Sequence, residues 1–260
     1  MVQPLPFIQV PLKRTDDADW QTPLLNWIAT GYAEPPEAYA EPCAAIVRLR
    51  QDIRGAGLDT TGRDILYRYY GQLELLELRF PVDESHVKMT FTWYDSFRGI
   101  ATSQHSIAYE KACVLYNLGA VVSALGASQP RLSTATSGPR SPNSSERSPS
   151  SVAFHNFQSA AGIFMYINDN FLHAPSLDLQ KDTVKLLADI MLAQSQECVL
   201  ERSEGKSDNL RSKLAGWLGY TYTRIEEEME ALLEKGIMDS NWQRLCLVNH
   251  FIRSTQIYIS

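Results

Sequence analysis

The chain has 260 residues, enough for one sizeable domain or two small ones. Apolar residues make up 44% and charged residues 21%, and the formal net charge of −6 gives no whole-chain electrostatic case for binding nucleic acid or anionic lipid. No run approaches the roughly 20 apolar residues that span a bilayer, and Met1 to Phe7 lacks the basic start and apolar run of a secretory signal, so a cytoplasmic protein is expected.

Phe7-Ile8-Gln9-Val10 reads as a short extended segment ahead of Pro11. Asp19 is placed to cap a helix carrying Trp20, Leu24, Trp27 and Ile28 on one face. Pro36 suits the first turn of a second helix, with Tyr39, Ile46, Leu49 and Ile53, stopped by Gly55 and Gly57. Thr61-Gly62-Arg63-Asp64 resembles a capping box opening a Leu- and Tyr-rich helix from Ile65 to Phe80, ended by Pro81. Met89 to Tyr94 and Ile100 to Ser103 form a hairpin on paper, and Phe7 to Val10 would join it in one small sheet.

From Ser106 onward the pattern is helical. Ile107, Val114, Leu118, Val121 and Leu125 share a face that Leu115 and Val122 widen; Phe154, Phe157, Ala161, Phe164, Ile167 and Phe171 make a second stripe. Val184, Leu187, Met191 and Cys198 make a third. Stripes this wide predict helices packed on two sides, as in stacked helical hairpins. Leu210 to Lys235 and Trp242 to Ile259 read as further helices, although Gly205, Gly216 and Gly219 weaken that stretch. The chain stops in an apolar run without a C-cap, which suggests either truncation or an unusual gene model. Between the first two stripes, Ser128 to Ser151 holds nine Ser and four Pro in 24 residues and is expected to be a disordered insertion. Ser141 and Ser148 there stand in Arg-Ser-Pro contexts that suit proline-directed phosphorylation.

Signals for chemistry are missing. Cys43, Cys113, Cys198 and Cys246 lie far apart and read as reduced core thiols. His86, His105, His155, His173 and His250 have no metal-ligand spacing, and there is no nucleophile elbow or phosphate loop. Gly55-Ala56-Gly57 is a helix stop, and Glu226 to Glu228 a solvated helix face. A non-enzymatic protein without cofactor or metal is expected.

Several blocks carry a resemblance. Residues 63–76 (RDILYRYYGQLELL), 79–84 (RFPVDE), 91–97 (FTWYDSF), 109–112 (YEKA), 115–120 (LYNLGA), 155–158 (HNFQ), 166–176 (YINDNFLHAPS) and 191–197 (MLAQSQE) are collinear, and together they resemble the Bro1 domain family. Within it the chain is most similar to the fungal vacuolar-sorting branch, ahead of the Rim20/PalA and Alix branches. The resemblance is strong over 5–202 and thinner over 203–260. It implies a mainly α, boomerang-shaped domain over 5–260, C-terminally incomplete, with a tetratricopeptide-like helical stack and a small sheet. It further implies a cytoplasmic adaptor, recruited to endosomes through its partners, that serves multivesicular-body sorting to the vacuole. The implied partner is the amphipathic C-terminal helix of an ESCRT-III subunit of the Snf7/CHMP4 kind, bound helix-in-groove. Carried over by alignment, Val199 stands at an aromatic anchor position, Arg202 at a basic position facing an acidic partner, and Leu210 and Leu214 at two aliphatic positions. The family also recruits a deubiquitinase and recognises ubiquitinated cargo, largely outside the early helices. A Rim20/PalA-like scaffold in ambient-pH signalling, or a generic peptide-binding helical module, are the alternatives.

Overall fold

The structure, a computed structural model, describes residues 6–131, 148–203, 205–238 and Trp242. The Asp19 carboxylate accepts the Thr22 N–H at 3.1 Å, opening helix α1 (Gln21–Gly31), which buries Leu24 and Ile28. Pro36–Tyr39 is a 3-10 turn leading into α2 (Ala40–Arg54), which Gly55 ends as expected. Helix α3 (Thr60–Glu77) starts one residue before the expected capping box. Asp59 is its cap, accepting the Gly62 N–H at 2.8 Å. Gly62 permits this, because a Cβ there would overlap the Gly57 carbonyl oxygen. The helix also stops at Glu77, three residues short of Phe80.

Strands β1 (Phe91–Tyr94) and β2 (Ala101–Gln104) form the expected antiparallel hairpin, with Phe91 opposite Gln104 and Tyr94 opposite Ala101. Phe7 to Val10 does not join it. Instead residues 14–16 reach the sheet: Asp16 N–H donates to the Thr92 carbonyl at 3.1 Å, and Tyr94 N–H to that of Arg14 at 2.9 Å.

The segment before them is held by side chains of helices far along the sequence. These are α4 (Ile107–Ala127), capped by Ser106, and α6 (Lys181–Arg202). Ile8 N–H donates to Gln194 Oε1 at 2.5 Å, and the Gln194 amide returns a bond to the Ile8 carbonyl at 2.9 Å. Val10 N–H donates to Ser123 Oγ at 2.9 Å, and Asn117 brackets Lys13 with bonds of 2.8 and 2.9 Å. An extended segment without a strand partner must satisfy its polar backbone in some other way, and these side chains do so.

Helix α4 is the centre of the molecule, buried on nearly every side. Helix α5 (Pro149–Asn170) packs on it closely; a Cβ on Gly119 would meet the Phe164 ring at 2.8 Å. Ser148 caps α5 and Pro149 is its first residue, so the helix begins inside the segment expected to be disordered. Residues 132–147 of that segment, with Ser141, lie outside the described residues. Helix α6 packs on α5, and α7 (Asp208–Glu234) on α6, so each helix lies against its successor. The mainly α stack with one small sheet is the architecture expected. Of the segment from Trp242 to Ile259 only Trp242 is described, its ring 5.0 Å from that of Phe97. Cys43, Cys113 and Cys198 are buried free thiols; Cys246 is outside the described residues.

Among the described residues, two ion pairs are fully buried. Lys13 Nζ lies 2.5 Å from Asp178 Oδ2. Arg50 Nε lies 2.7 Å from Glu110 Oε1, with its guanidinium over the Trp93 ring, 5.5 Å from the centroid.

Candidate functional site

Helices α6 and α7 form an antiparallel hairpin whose tight turn uses Gly205 at φ +81°, a conformation glycine adopts without steric cost. Gly216 and Gly219 do not break α7, which runs unbroken through both. Leu218, Tyr222, Ile225, Met229 and Leu232 form its buried face. Their burial outweighs the helix-propensity cost of about 1 kcal/mol per glycine. The Tyr222 hydroxyl donates to Glu197 of α6 at 2.8 Å, and Arg131 closes on the same carboxylate at 2.6 Å and on Glu201. Lower on the hairpin, Lys185 bridges Asp189 and Glu228, each at 3.0 Å.

All four residues assigned by resemblance lie at the turn end of this hairpin: Val199 and Arg202 in the last turn of α6, Leu210 and Leu214 in the first two turns of α7. Leu210 is 43% exposed, while Val199 and Leu214 are half-buried at the seam. Arg202 is exposed, with Nε donating to the Cys198 carbonyl at 3.2 Å and its guanidinium 5.0 Å from the centroid of the Phe154 ring. No carboxylate among the described residues pairs with it, so the charge is held in place but left unneutralised.

Trp217, 50% exposed, completes an i, i+4, i+7 stripe with Leu210 and Leu214. The sequence reading passed over it, although the spacing was there to be read. Tyr220, 69% exposed, stands beside that stripe. An unsatisfied donor, the buried Nε of Arg211, sits within the same two turns. The turn end of the hairpin thus carries a short apolar stripe on α7 and, on α6, a cation held over Phe154.

Such a surface can bury aliphatic side chains but has little means of activating a nucleophile. Burial pushes the Cys198 thiol up to about 12, with Glu201 and Glu197 adding to the rise, so at neutral pH it is protonated. Among the described residues no group of three His, Cys, Asp or Glu is placed to hold a metal ion, and no helix is long and apolar enough to cross a membrane.

Comparison with known proteins gives one consistent result. The BRO1-like domain family matches residues 7–258, which takes in the stretch where the resemblance read from sequence thins. The vacuolar protein-sorting protein BRO1 of Gibberella zeae is 50% identical over 240 residues, covering 91% of this chain and 23% of that protein. Its counterpart from Aspergillus fumigatus is 49% identical over the same length and shares. The chain thus spans about a quarter of the length of these curated relatives. Among solved structures, that of the ALIX BRO1 CHMP4C complex superposes with a TM-score of 0.79 at 25% identity, covering 97% of this chain and 71% of that one.

Proposed function

The chain belongs to the BRO1-like domain family, and from that premise we propose that it is a non-enzymatic adaptor of ESCRT-dependent vacuolar sorting. It acts at endosomes by binding the amphipathic C-terminal helix of an ESCRT-III subunit of the Snf7/CHMP4 kind. The observation that carries this reading is the apolar stripe on α7 made by exposed Leu210 and Trp217 and half-buried Leu214, at the turn end of the α6–α7 hairpin. Three positions one helical turn apart match the anchors of an amphipathic helix laid into a groove. Arg202, fixed over Phe154 and unneutralised, would face an acidic residue of that helix and set its register. Support also comes from the vacuolar-sorting relatives and from the CHMP4C-bound structure of a BRO1 domain.

Calorimetry with a synthetic ESCRT-III C-terminal helix tests the proposal. Wild-type protein should bind it saturably, and Leu214→Asp should abolish the heat while far-ultraviolet circular dichroism keeps its helical amplitude. Equal binding by the variant would overturn the assignment.

A further inference from the structure

At the other end of the stack, α1, the 3-10 turn, α2 and α3 enclose a cavity of about 610 Å3. Its floor is Leu24, Ile28, Cys43 and Ile46, all nearly inaccessible. Its mouth carries apolar surface that the fold leaves open: Leu78 is 82% exposed and Tyr32 49%. A volume in this range suits a ligand, and an apolar floor under a few polar groups is the usual composition of a binding pocket.

Two features of the lip go beyond an unfilled space. Glu34 and Arg79 both line the mouth, yet among the described residues no ion pair or side-chain hydrogen bond engages either charge. The lip is also held in an unfavourable backbone. Ala33 has φ +55°, in the left-handed region that alanine disfavours, and this turn lets Glu34 N–H donate to the Ile28 carbonyl at 3.1 Å. The Tyr32 hydroxyl, on the near side of the turn, donates to the Arg79 carbonyl and ties the lip to the end of α3. Strain maintained at a pocket mouth is the pattern found at ligand clamps.

We propose that this cavity is a second docking site, for a partner peptide that inserts one bulky apolar side chain and flanks it with one basic and one acidic residue. The apolar anchor would fill the floor, the basic residue would meet Glu34, and the acidic residue would meet Arg79. Charge complementarity at the rim sets the order of the two flanking charges and rejects peptides that carry like charges there. The site shares no residue with the α6–α7 stripe and does not depend on the function proposed for it.

Fluorescence polarisation with labelled nine-residue peptides tests this. The set has a central Leu or Phe between one Lys and one Asp, in both orders, with Ser-centred controls. One order of the apolar-centred peptides should bind saturably, and its Ser-centred control should bind at least about tenfold more weakly. Glu34→Lys and Arg79→Glu change exposed, unpaired side chains and should keep the fold; each should weaken binding about two- to fivefold. The double variant should prefer the opposite charge order, and Leu214→Asp should leave these affinities unchanged. The proposal fails if no peptide saturates, if Ser-centred peptides bind equally, or if both charge reversals leave affinity as it was.

Discussion

Glu110 accepts two hydrogen bonds and pairs with one guanidinium in the middle of the molecule, and replacing it with glutamine should be costly in a way that can be worked out group by group. The Tyr69 hydroxyl donates to Oε1 at 2.8 Å and the Trp93 indole to Oε2 at 2.6 Å. Arg50 Nε approaches Oε1 at 2.7 Å, close enough to pair electrostatically but without hydrogen-bond angles. Tyr69 cannot turn its hydroxyl round, because its oxygen already accepts the Trp20 indole N–H at 3.0 Å. Glutamine offers one acceptor oxygen where the carboxylate offers two, so one donor must face an NH2 group. It also leaves the Arg50 guanidinium, 0% exposed, without its counter-charge. Removing one member of a buried ion pair costs about 3–5 kcal/mol. For a chain of this size that corresponds to a fall of roughly 6–20 °C in Tm. Urea denaturation followed by tryptophan fluorescence measures it, with an unchanged m value certifying that only stability moved. Replacing both residues, as Arg50→Met with Glu110→Gln, should recover part of the loss, since no orphan charge remains. A Glu110→Gln change below about 1 kcal/mol, or a double variant as unstable as the sum of both single ones, would refute the reasoning.

Other substitutions test neighbouring parts of the account. Gln194→Leu leaves the buried N–H and carbonyl of Ile8 without partners and should cost about 2–5 kcal/mol, with amide exchange showing residues 7–10 released before the rest. Gly119→Ala pushes a methyl group into the Phe164 ring and should cost about 1–3 kcal/mol by denaturant titration, whereas Gly162→Ala, with open space around it, should not destabilise. Burial, then the charge of Asp178, raises the Asp95 carboxyl, so the folded protein holds that proton longer than the unfolded chain. Ionising it therefore subtracts stability as pH rises from the ordinary carboxylate range through the raised value, and adds nothing below that range. Asp95→Asn should remove this fall from a stability–pH curve; an unchanged slope would mean that another group causes it.

The helices were legible because their apolar residues repeat at helical spacing over long stretches. The stripes through Val114, Phe157 and Leu187 each became a buried face. Boundaries were less legible. Asp59 was overlooked as the α3 cap, and only the overlap at Gly57 explains why a glycine must follow three residues later. The role of Phe7 to Val10 was misread because the alternation of a strand says nothing about its partner. That partner was a glutamine 186 residues away and a serine 113 away, in helices whose polar positions look like ordinary interruptions of an apolar pattern. The stripe on α7 was half legible. Leu210 and Leu214 came from family resemblance, whereas Trp217 follows from spacing alone. The cavity between α1 and α3 could not have been read at all, since its floor draws on two separate helices and its lip on a backbone conformation unusual for alanine.

The central claim is that an ESCRT-III helix docks on the turn end of the α6–α7 hairpin, and methyl NMR of the protein titrated with that helix tests it most directly. The account predicts that Val199, Leu210 and Leu214 methyl signals shift together and saturate with one affinity, while those of Leu24, Ile28 and Ile46 stay in place. Shifts confined to the α1–α3 cavity, or none on α7 at saturation, would contradict it.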